Sequence, residues 1–184
     1  MHEQLPNVGV WMLHRDLSRA PRFSLPPGYR MRFYHDGDLH TWLRIQATDP
    51  FSVPTAETFA RSMPGDTLHL AARVMFLVDP LGADIGTITA WNNDHFNDCD
   101  IGQIHWVAII PAAQGRGLAK PMLSAACDVL RTHGYAEACL ETNTARIPAL
   151  NLYPQFGFEP YVRDEAERNA WRTVAPRLKI GIAV

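Results

Sequence analysis

The feature that most constrains this chain is an apolar strand pattern that leads through a glycine-containing turn into an amphipathic helix. The strand pattern covers residues 101–110 and is followed by Pro111 and by Gln114-Gly115-Arg116-Gly117. The helix pattern ends at His133-Gly134 and carries five apolar residues at helical spacing: Leu118, Met122, Ala126, Val129 and Leu130. Glycines allow a tight turn that aims several N–H groups at one point, and a helix N-terminus adds positive potential. The segment therefore predicts a site for a pyrophosphate.

Two known nucleotide-binding loops fit this segment poorly. A P-loop needs Gly-Lys-Ser/Thr at its end, but Lys120 is followed by Pro121, and Lys120 also occupies the place of the third glycine of a dinucleotide loop. For the two glycines taken alone, an ordinary strand-to-helix turn remains an equal alternative.

The rest of the chain alternates between strand and helix patterns. The predicted strands cover residues 9–13, 29–34, 68–78, 85–91, 138–142 and 158–162, the predicted helices cover 36–47, 55–62, 148–155 and 164–178, and 92–100 is predicted to be a polar loop. This order predicts an α/β (α+β) fold with a mixed, mostly antiparallel central sheet and helices on both faces. We expect a single domain over 1–184, with an irregular N-terminal extension at 1–28, a core at 29–162 and a C-terminal helix and tail at 163–184.

Composition argues against several classes of function. A formal net charge of -2 and a pI near 6.4 give no overall field for nucleic acid or anionic lipid. The apolar stretches are far shorter than the ~20 residues of a membrane span, and residues 1–7 lack an export pattern, so a cytoplasmic location is expected. The three cysteines are too widely spaced for a disulfide framework or a Cys-x-x-Cys metal site.

Two segments resemble the GCN5-related N-acetyltransferases (GNAT family). Gln114, Gly117 and Ala119 match the family's acetyl-CoA signature, Arg/Gln-x-x-Gly-x-Gly/Ala. Residues 149–158 look like its downstream Ala-x-x-Leu-Tyr-x-x-x-Gly-Phe segment. The resemblance covers most of the chain between Tyr29 and Val162, and it implies an acyl-CoA N-acyltransferase fold and an enzyme that acetylates an amine.

The resemblance also implies which residues bind acetyl-CoA, the cosubstrate. The cofactor-binding set is predicted to combine main-chain N–H groups at the end of a splayed strand with the turn, a downstream arginine and a tyrosine: Ala108, Ile109, Gln114, Gly115, Arg116, Gly117, Leu118, Ala119, Arg146 and Tyr153. Arg146 stands where the family often has an asparagine. It could therefore bind a CoA phosphate, bind an acidic group of the acceptor, or lie in solvent.

Two residues are candidates for proton transfer. Tyr153 matches the family's tyrosine that protonates the leaving thiolate, and a phenol with a pKa of about 10 can donate at pH 7; the alternative is a packing role. His105 is the preferred general base, although a structural histidine is equally compatible with its position. Glu141 and Asn143 are comparable candidates for orienting the acceptor.

The acceptor and the assembly are less constrained. The acidic loop at 94–100 is interpreted as a solvated turn rather than a metal site, because its spacing matches neither zinc nor calcium patterns. If it lines the acceptor cleft, it favours a small cationic amine. Alternatives are a domain that binds acyl-CoA without turnover, or transfer of another acyl group or to another acceptor. A monomer and a homodimer are both open.

Overall fold

The computed structural model describes residues 7–96, 99–179 and 181, and it contains a seven-stranded sheet. The strands are β1 Gly9–His14, β2 Arg30–Phe33, β3 Val74–Val78, β4 Asp84–Phe96, β5 Cys99–Ile109, β6 Ala138–Asn143 and β7 Glu159–Tyr161. Their order in the sheet is β2-β3-β4-β5-β6-β1-β7, and only the β5–β6 pair is parallel. The predicted mixed, mostly antiparallel sheet is confirmed.

Six α-helices accompany the sheet in the described ranges. They are α1 Leu39–Gln46, α2 Ala56–Ser62, α3 Thr67–Arg73, α4 Ala119–Thr132, α5 Ile147–Leu152 and α6 Glu165–Val174. Thr55 caps α2, and Asp164 caps α6 by accepting a hydrogen bond from the Glu167 N–H. Among these helices, none has the length and apolar character needed to cross a membrane.

The helices cover both faces of the sheet, as expected. Strand β3 is buried throughout, and its residues alternate between two cores. Met75 and Leu77 belong to the core that includes residues of α4, α5 and α6, whereas Val74 and Phe76 belong to the core that includes residues of α1, α2 and α3.

The strand predicted at 9–13 is confirmed, and its place is informative. Strand β1 lies between β6 and β7, and its register runs from Gly9 opposite Asn143 to His14 opposite Ala138. Val10 and Met12 are fully buried in the main core. The N-terminal segment, expected to be an irregular extension, therefore supplies an interior strand of the sheet.

The strand predicted over residues 68–78 is wrong in its first half. Residues 67–73 form α3, and only 74–78 form β3. The Asp66 carboxylate accepts a hydrogen bond from the His69 N–H at 3.1 Å, which caps the first turn of the helix. This local cap, together with the burial of Leu70 of α3 in the second core, favours a helix over a strand.

The prediction of a polar loop over residues 92–100 is also wrong, because the described residues of this range belong to strands. Strand β4 continues to Phe96, β5 begins at Cys99, and these two residues are register partners in a hairpin. Asp94 and His95 are polar because this end of the hairpin is exposed to solvent. Residues 97 and 98 lie outside the described ranges.

Candidate functional site

Strands β5 and β6 pair briefly and then separate. Their parallel register consists of Gly102 opposite Ala138 and Gln103 opposite Cys139. Strand β5 continues to Ile109 and β6 to Asn143. The opening between the two strands beyond these pairs, called the cleft here, leads to the start of α4.

A bulge in β5 lies at the edge of the cleft. Thr87 of β4 is opposite Ala108 and Thr89 is opposite His105, so β5 contains one residue more than β4 in this interval. Trp106 has a φ of 53°, and it is the sole non-glycine residue with positive φ in the described ranges. Such a conformation costs about 1–3 kcal/mol and persists only where the surrounding structure enforces it.

Four side chains hold Trp106 in this conformation. The Gln46 Nε2 donates to the Trp106 carbonyl at 2.8 Å, and the Thr87 hydroxyl donates to the same oxygen at 3.0 Å. The Trp106 indole N–H donates to the Ser62 hydroxyl at 3.0 Å, and the indole packs edge-to-face on Trp42 with 4.8 Å between ring centroids. The strained residue is therefore fixed through both its main chain and its side chain.

The glycine turn between β5 and α4 has the form that the sequence predicts. Gly115 and Gly117 both have φ of 74°, and a Cβ added to either would meet no atom within 4 Å. Leu118 takes the N-cap position of α4 with no side-chain hydrogen bond to the first turn. Open space above two glycines, beside an uncapped helix N-terminus, fits the pyrophosphate of CoA.

The other residues predicted in this turn have separate roles in its shape. The Gln114 Nε2 donates to the Ile109 carbonyl at 2.8 Å and ties the turn to the end of β5. The Arg116 guanidinium is exposed and donates to the Ala112 carbonyl at 2.8 Å and to the Tyr29 hydroxyl at 3.2 Å. Leu118 is buried in the main core, and Ala119 begins α4.

Tyr153 follows α5 directly and belongs to the main core. The residue is buried, its ring is 6.1 Å from that of Phe158, and no described residue accepts a hydrogen bond from its hydroxyl. Burial raises the pKa of Tyr153 to about 12; Arg146 lowers that pKa and Asp49 raises it. The phenol is therefore protonated at neutral pH and can serve as a proton donor.

Arg146 precedes α5 and forms an ion pair across the site. Its Nη2 lies 2.5 Å from Asp49 Oδ2, and its guanidinium lies 5.4 Å from the centre of the Phe51 ring. The guanidinium thus contacts the segment between α1 and α2, which brings that segment to the same end of the sheet as Tyr153. A contact of Arg146 with CoA or with an acceptor stays a prediction.

His105 and Glu141 share the face of the sheet opposite α4, as judged from their neighbours. The His105 Nε2 is buried with no partner among the described residues, and burial lowers the pKa of His105 to about 3. The imidazole is therefore neutral at pH 7 but weakly basic, so its role as a base stays a prediction. Burial also raises the pKa of Glu141, whose carboxylate lies over Gly9 of β1.

Asn143 and the predicted solvated turn complete the list of candidates. The Asn143 Oδ1 accepts a hydrogen bond from the Ala145 N–H at 3.2 Å, which shapes the turn before α5. Within the ranges that the structure describes, no group of three or more His, Cys, Asp or Glu residues is placed to hold a metal ion.

Sheet, cleft and glycine turn together define the acyl-CoA N-acyltransferase fold. The sequence model of the Acetyltransferase (GNAT) family matches residues 37–158, more than half of the chain. The chain therefore belongs to the GNAT acetyltransferase family, and the resemblance noted from its motifs is confirmed.

The curated relatives that this chain matches are acetyltransferases. A mycothiol acetyltransferase of Renibacterium salmoninarum is 29% identical over 154 residues, which cover 79% of this chain and 45% of that protein. Another, from Beutenbergia cavernae, is 30% identical over 168 residues, covering 82% of this chain and 55% of that protein. The chain thus spans about half the length of the curated relatives it matches.

A solved structure has the same fold. The GCN5-related N-acetyltransferase from Sphaerobacter thermophilus superimposes with a TM-score of 0.66 at 21% identity, covering 85% of this chain and 49% of that one. At this identity the likeness concerns the fold alone.

Sequence reasoning missed four residues of the site: Gln46, Asp49, Thr87 and Trp106. Their partners are distant in the chain, since Arg146 is 97 residues from Asp49 and Trp106 is 19 residues from Thr87. One local signal was available at Gln46, an amide on the apolar side of a predicted helix. Such a residue, once buried, must find a polar partner.

Proposed function

We propose that this protein transfers the acetyl group of acetyl-CoA to the amine of a small molecule or peptide by direct attack in a ternary complex. The observation that carries the proposal is the cleft between β5 and β6, which opens beside the glycine turn and the uncapped start of α4. A cosubstrate with a pyrophosphate and a thin pantetheine arm fits both parts of this site. Tyr153 follows the helix after β6 and is buried in the main core.

The chemistry needs three groups. The neutral amine nitrogen attacks the thioester carbonyl carbon, a tetrahedral intermediate forms, and the carbon–sulfur bond then breaks. A base takes the proton that the amine loses, and Tyr153 gives its phenolic proton to the departing thiolate. The oxygen of the intermediate is negatively charged and requires main-chain N–H donors from β5.

The residues that the family motif predicts are assigned to bind the cosubstrate and to transfer protons. The pyrophosphate would accept hydrogen bonds from the main chain of the turn at 114–119, with Arg116 beside it. Tyr153 is assigned as the acid on the family motif, and its raised pKa means that it carries the proton throughout the neutral range. His105 is the preferred base, acting directly or through water, and Glu141 is its competitor.

The nature of the acceptor is inferred from the relatives and from charge. Similarity to mycothiol acetyltransferases over 79–84% of this chain favours a small-molecule acceptor. The Glu141 carboxylate lies on β6 beyond the point where β5 and β6 separate, and it favours a cationic amine. Asp94 lies at the other end of β4, near the hairpin turn, so its carboxylate does not line the cleft.

The first test is isothermal titration with acetyl-CoA. Gly117→Asp places a side chain and a negative charge where the phosphates are expected, so we expect binding to be lost. Gly134→Asp is the matched control, because Gly134 also has a positive φ, 88°, and open space around it, but it stands at the opposite end of α4. It should bind acetyl-CoA like the wild-type protein.

Binding that is lost only in Gly117→Asp would justify a screen of amines by mass spectrometry, with Tyr153→Phe as the inactive control. Binding without turnover on any amine would favour the acyl-CoA-binding alternative. A folded wild-type protein that does not bind acetyl-CoA would contradict the proposal.

A further inference from the structure

Two buried polar side chains converge on one main-chain oxygen. Gln46 is 1% exposed and Thr87 is fully buried. Besides bonding to each other at 2.6 Å, both donate to the carbonyl of Trp106. Burying an amide and a hydroxyl is unfavourable unless they are paired, and here each of them reaches the bulge of β5 from a different element.

The direction of this carbonyl determines the direction of the next N–H group. The peptide between Trp106 and Val107 is trans and planar, so its C=O and N–H point in opposite directions. The oxygen points towards Gln46 of α1 and Thr87 of β4. The Val107 N–H therefore points away from β4, towards the side on which β6 has separated from β5.

The register leaves this N–H available to a ligand. Neither Trp106 nor Val107 has a register partner in β4, and the pairing of β5 with β6 ends at Gln103. Of the donors that the family resemblance implied, Ala108 is a register partner of Thr87 and Ile109 of Gly86. Because the Ile110 N–H bonds to the Ile85 carbonyl and N–H groups alternate along a strand, the Ile109 N–H points away from β4 and is a second donor on the same side as Val107.

We propose that Gln46 and Thr87 are positioning residues for acetyl transfer, which hold the Trp106 carbonyl so that the Val107 N–H donates to the thioester carbonyl oxygen. The inference rests on the proposed function. When the amine attacks, the electron pair of the C=O bond moves onto that oxygen, and a donor already aimed at it stabilises the charge without reorganisation. Gln46 and Thr87 themselves touch neither the substrate nor the reacting atoms.

The chain offers a matched pair of variants for the test. Thr87→Val removes the hydroxyl at nearly constant volume, and Thr87→Ser keeps it. The control is Thr89→Val, because Thr89 is also fully buried on β4 but its hydroxyl faces Met63 Sδ at 3.5 Å instead of the bulge. Gln46→Leu removes the second donor to the Trp106 carbonyl. If this variant does not fold, the Thr87 and Thr89 variants alone test the positioning role.

The first readout needs no acceptor. Difference infrared spectroscopy of acetyl-CoA with an isotope-labelled carbonyl reports hydrogen bonding to that carbonyl as a shift to lower frequency. We expect the shift in the wild type, Thr87→Ser and Thr89→Val, and a smaller shift in Thr87→Val and Gln46→Leu. An unshifted band in the wild type, or equal shifts in Thr87→Val and Thr89→Val, would overturn the inference.

The second readout separates positioning from binding. With an accepted amine, Thr87→Val should lower kcat by about tenfold or more, since small misplacements of reacting groups cost that much, while the KM for acetyl-CoA changes little. Thr87→Ser should restore most of the rate. If the wild type does not bind acetyl-CoA, the proposed function fails; if it binds and Thr87→Val behaves like Thr89→Val, only the positioning role fails.

Discussion

Asp49 and Arg146 form an ion pair with 2.5 Å between Oδ2 and Nη2. The pair joins the segment that follows α1 to the residue that precedes α5, 97 positions later in the chain. Only 16% of the Asp49 side chain and 29% of the Arg146 side chain are exposed. Because both charges also act on the pKa of Tyr153, the contact couples the shape of the cleft to its proposed acid.

Loss of this pair should affect stability more than loss of a surface pair. Asp49→Asn leaves a half-buried guanidinium without its carboxylate, and we expect the free energy of unfolding to fall by about 1–2 kcal/mol, between the values typical of surface and of buried pairs. Glu165→Gln, which removes an exposed partner of Arg168 and Arg172, is the control and should change it by less than about 0.5 kcal/mol. Urea denaturation of both variants measures the difference, and equal losses would contradict the prediction.

Tyr153→Phe should reduce turnover and leave cosubstrate binding intact. The hydroxyl is assigned as the donor to the thiolate, so kcat should fall by about 100-fold or more, while calorimetry gives an unchanged affinity for acetyl-CoA. Tyr135→Phe, on the loop after α4, is the control. With a pKa raised by burial to about 12, Tyr153 stays protonated, so the rate should show no decline from this group between pH 7 and pH 10. A variant with full activity would remove Tyr153 from the mechanism.

Burial of His105 should make the protein less stable in acid. Its folded pKa of about 3 lies below the ordinary value of 6.5, so between these pH values the unfolded chain binds a proton that the folded chain does not. The free energy of unfolding should therefore fall as the pH falls, by at most ~1.4 kcal/mol per pH unit from this residue. His14, whose pKa burial also lowers, adds to the same trend.

His105→Gln tests this assignment through the pH dependence of the free energy of unfolding and not through its absolute value. Urea denaturation between pH 4 and pH 7 should give a flatter dependence for His105→Gln than for the wild type. His95→Gln, at an exposed position of β4, should keep the wild-type slope. Identical slopes in all three proteins would place His105 in contact with water, where it could act as an ordinary base.

The parts of the fold that could be predicted are those determined by local pattern. Helix α4 follows from apolar residues at helical spacing and from Gly134 after its end, and the glycine turn before it follows from Gly115 and Gly117. The error at residues 68–73 arose because the apolar strand pattern of 74–78 was extended back over Leu68 and Leu70, whereas the Asp66 cap and the packing of Leu70 favour a helix.

The bulge and the placement of β1 could not be predicted, because both depend on distant partners. Nothing near Trp106 in sequence indicates a positive φ, since its carbonyl is held by Gln46, 60 residues away. Similarly, the pattern at 9–13 indicated a strand but not its neighbours, which are residues 138–143 and 159–161. The glycine turn was therefore predictable, whereas the bulge, on which the proposed position of the thioester carbonyl depends, was not.

The glycine that ends the segment after Tyr153 should be intolerant of a side chain. Gly157 has a φ of 93°, and an added Cβ would lie 3.0 Å from Nε2 of the buried His14. Gly82 has a similar φ of 87° but open space around it. Gly82→Ala should cost about 1–2 kcal/mol from backbone strain alone, and Gly157→Ala should cost about 1–3 kcal/mol more because the core cannot adjust easily. Equal melting temperatures for the two variants would contradict this account.

The interior position of β1 predicts that the N-terminal segment is essential for stability. Met12 is fully buried between β6 and β7 in the main core, so Met12→Ala should lower the free energy of unfolding by about 2–5 kcal/mol through lost burial and a cavity. The control is Leu81→Ala, because the Leu81 side chain is 93% exposed in the turn between β3 and β4. This variant should change the free energy of unfolding by less than about 0.5 kcal/mol. Urea denaturation measures both. An unchanged stability for Met12→Ala would mean that β1 is a separable extension, as its sequence first suggested.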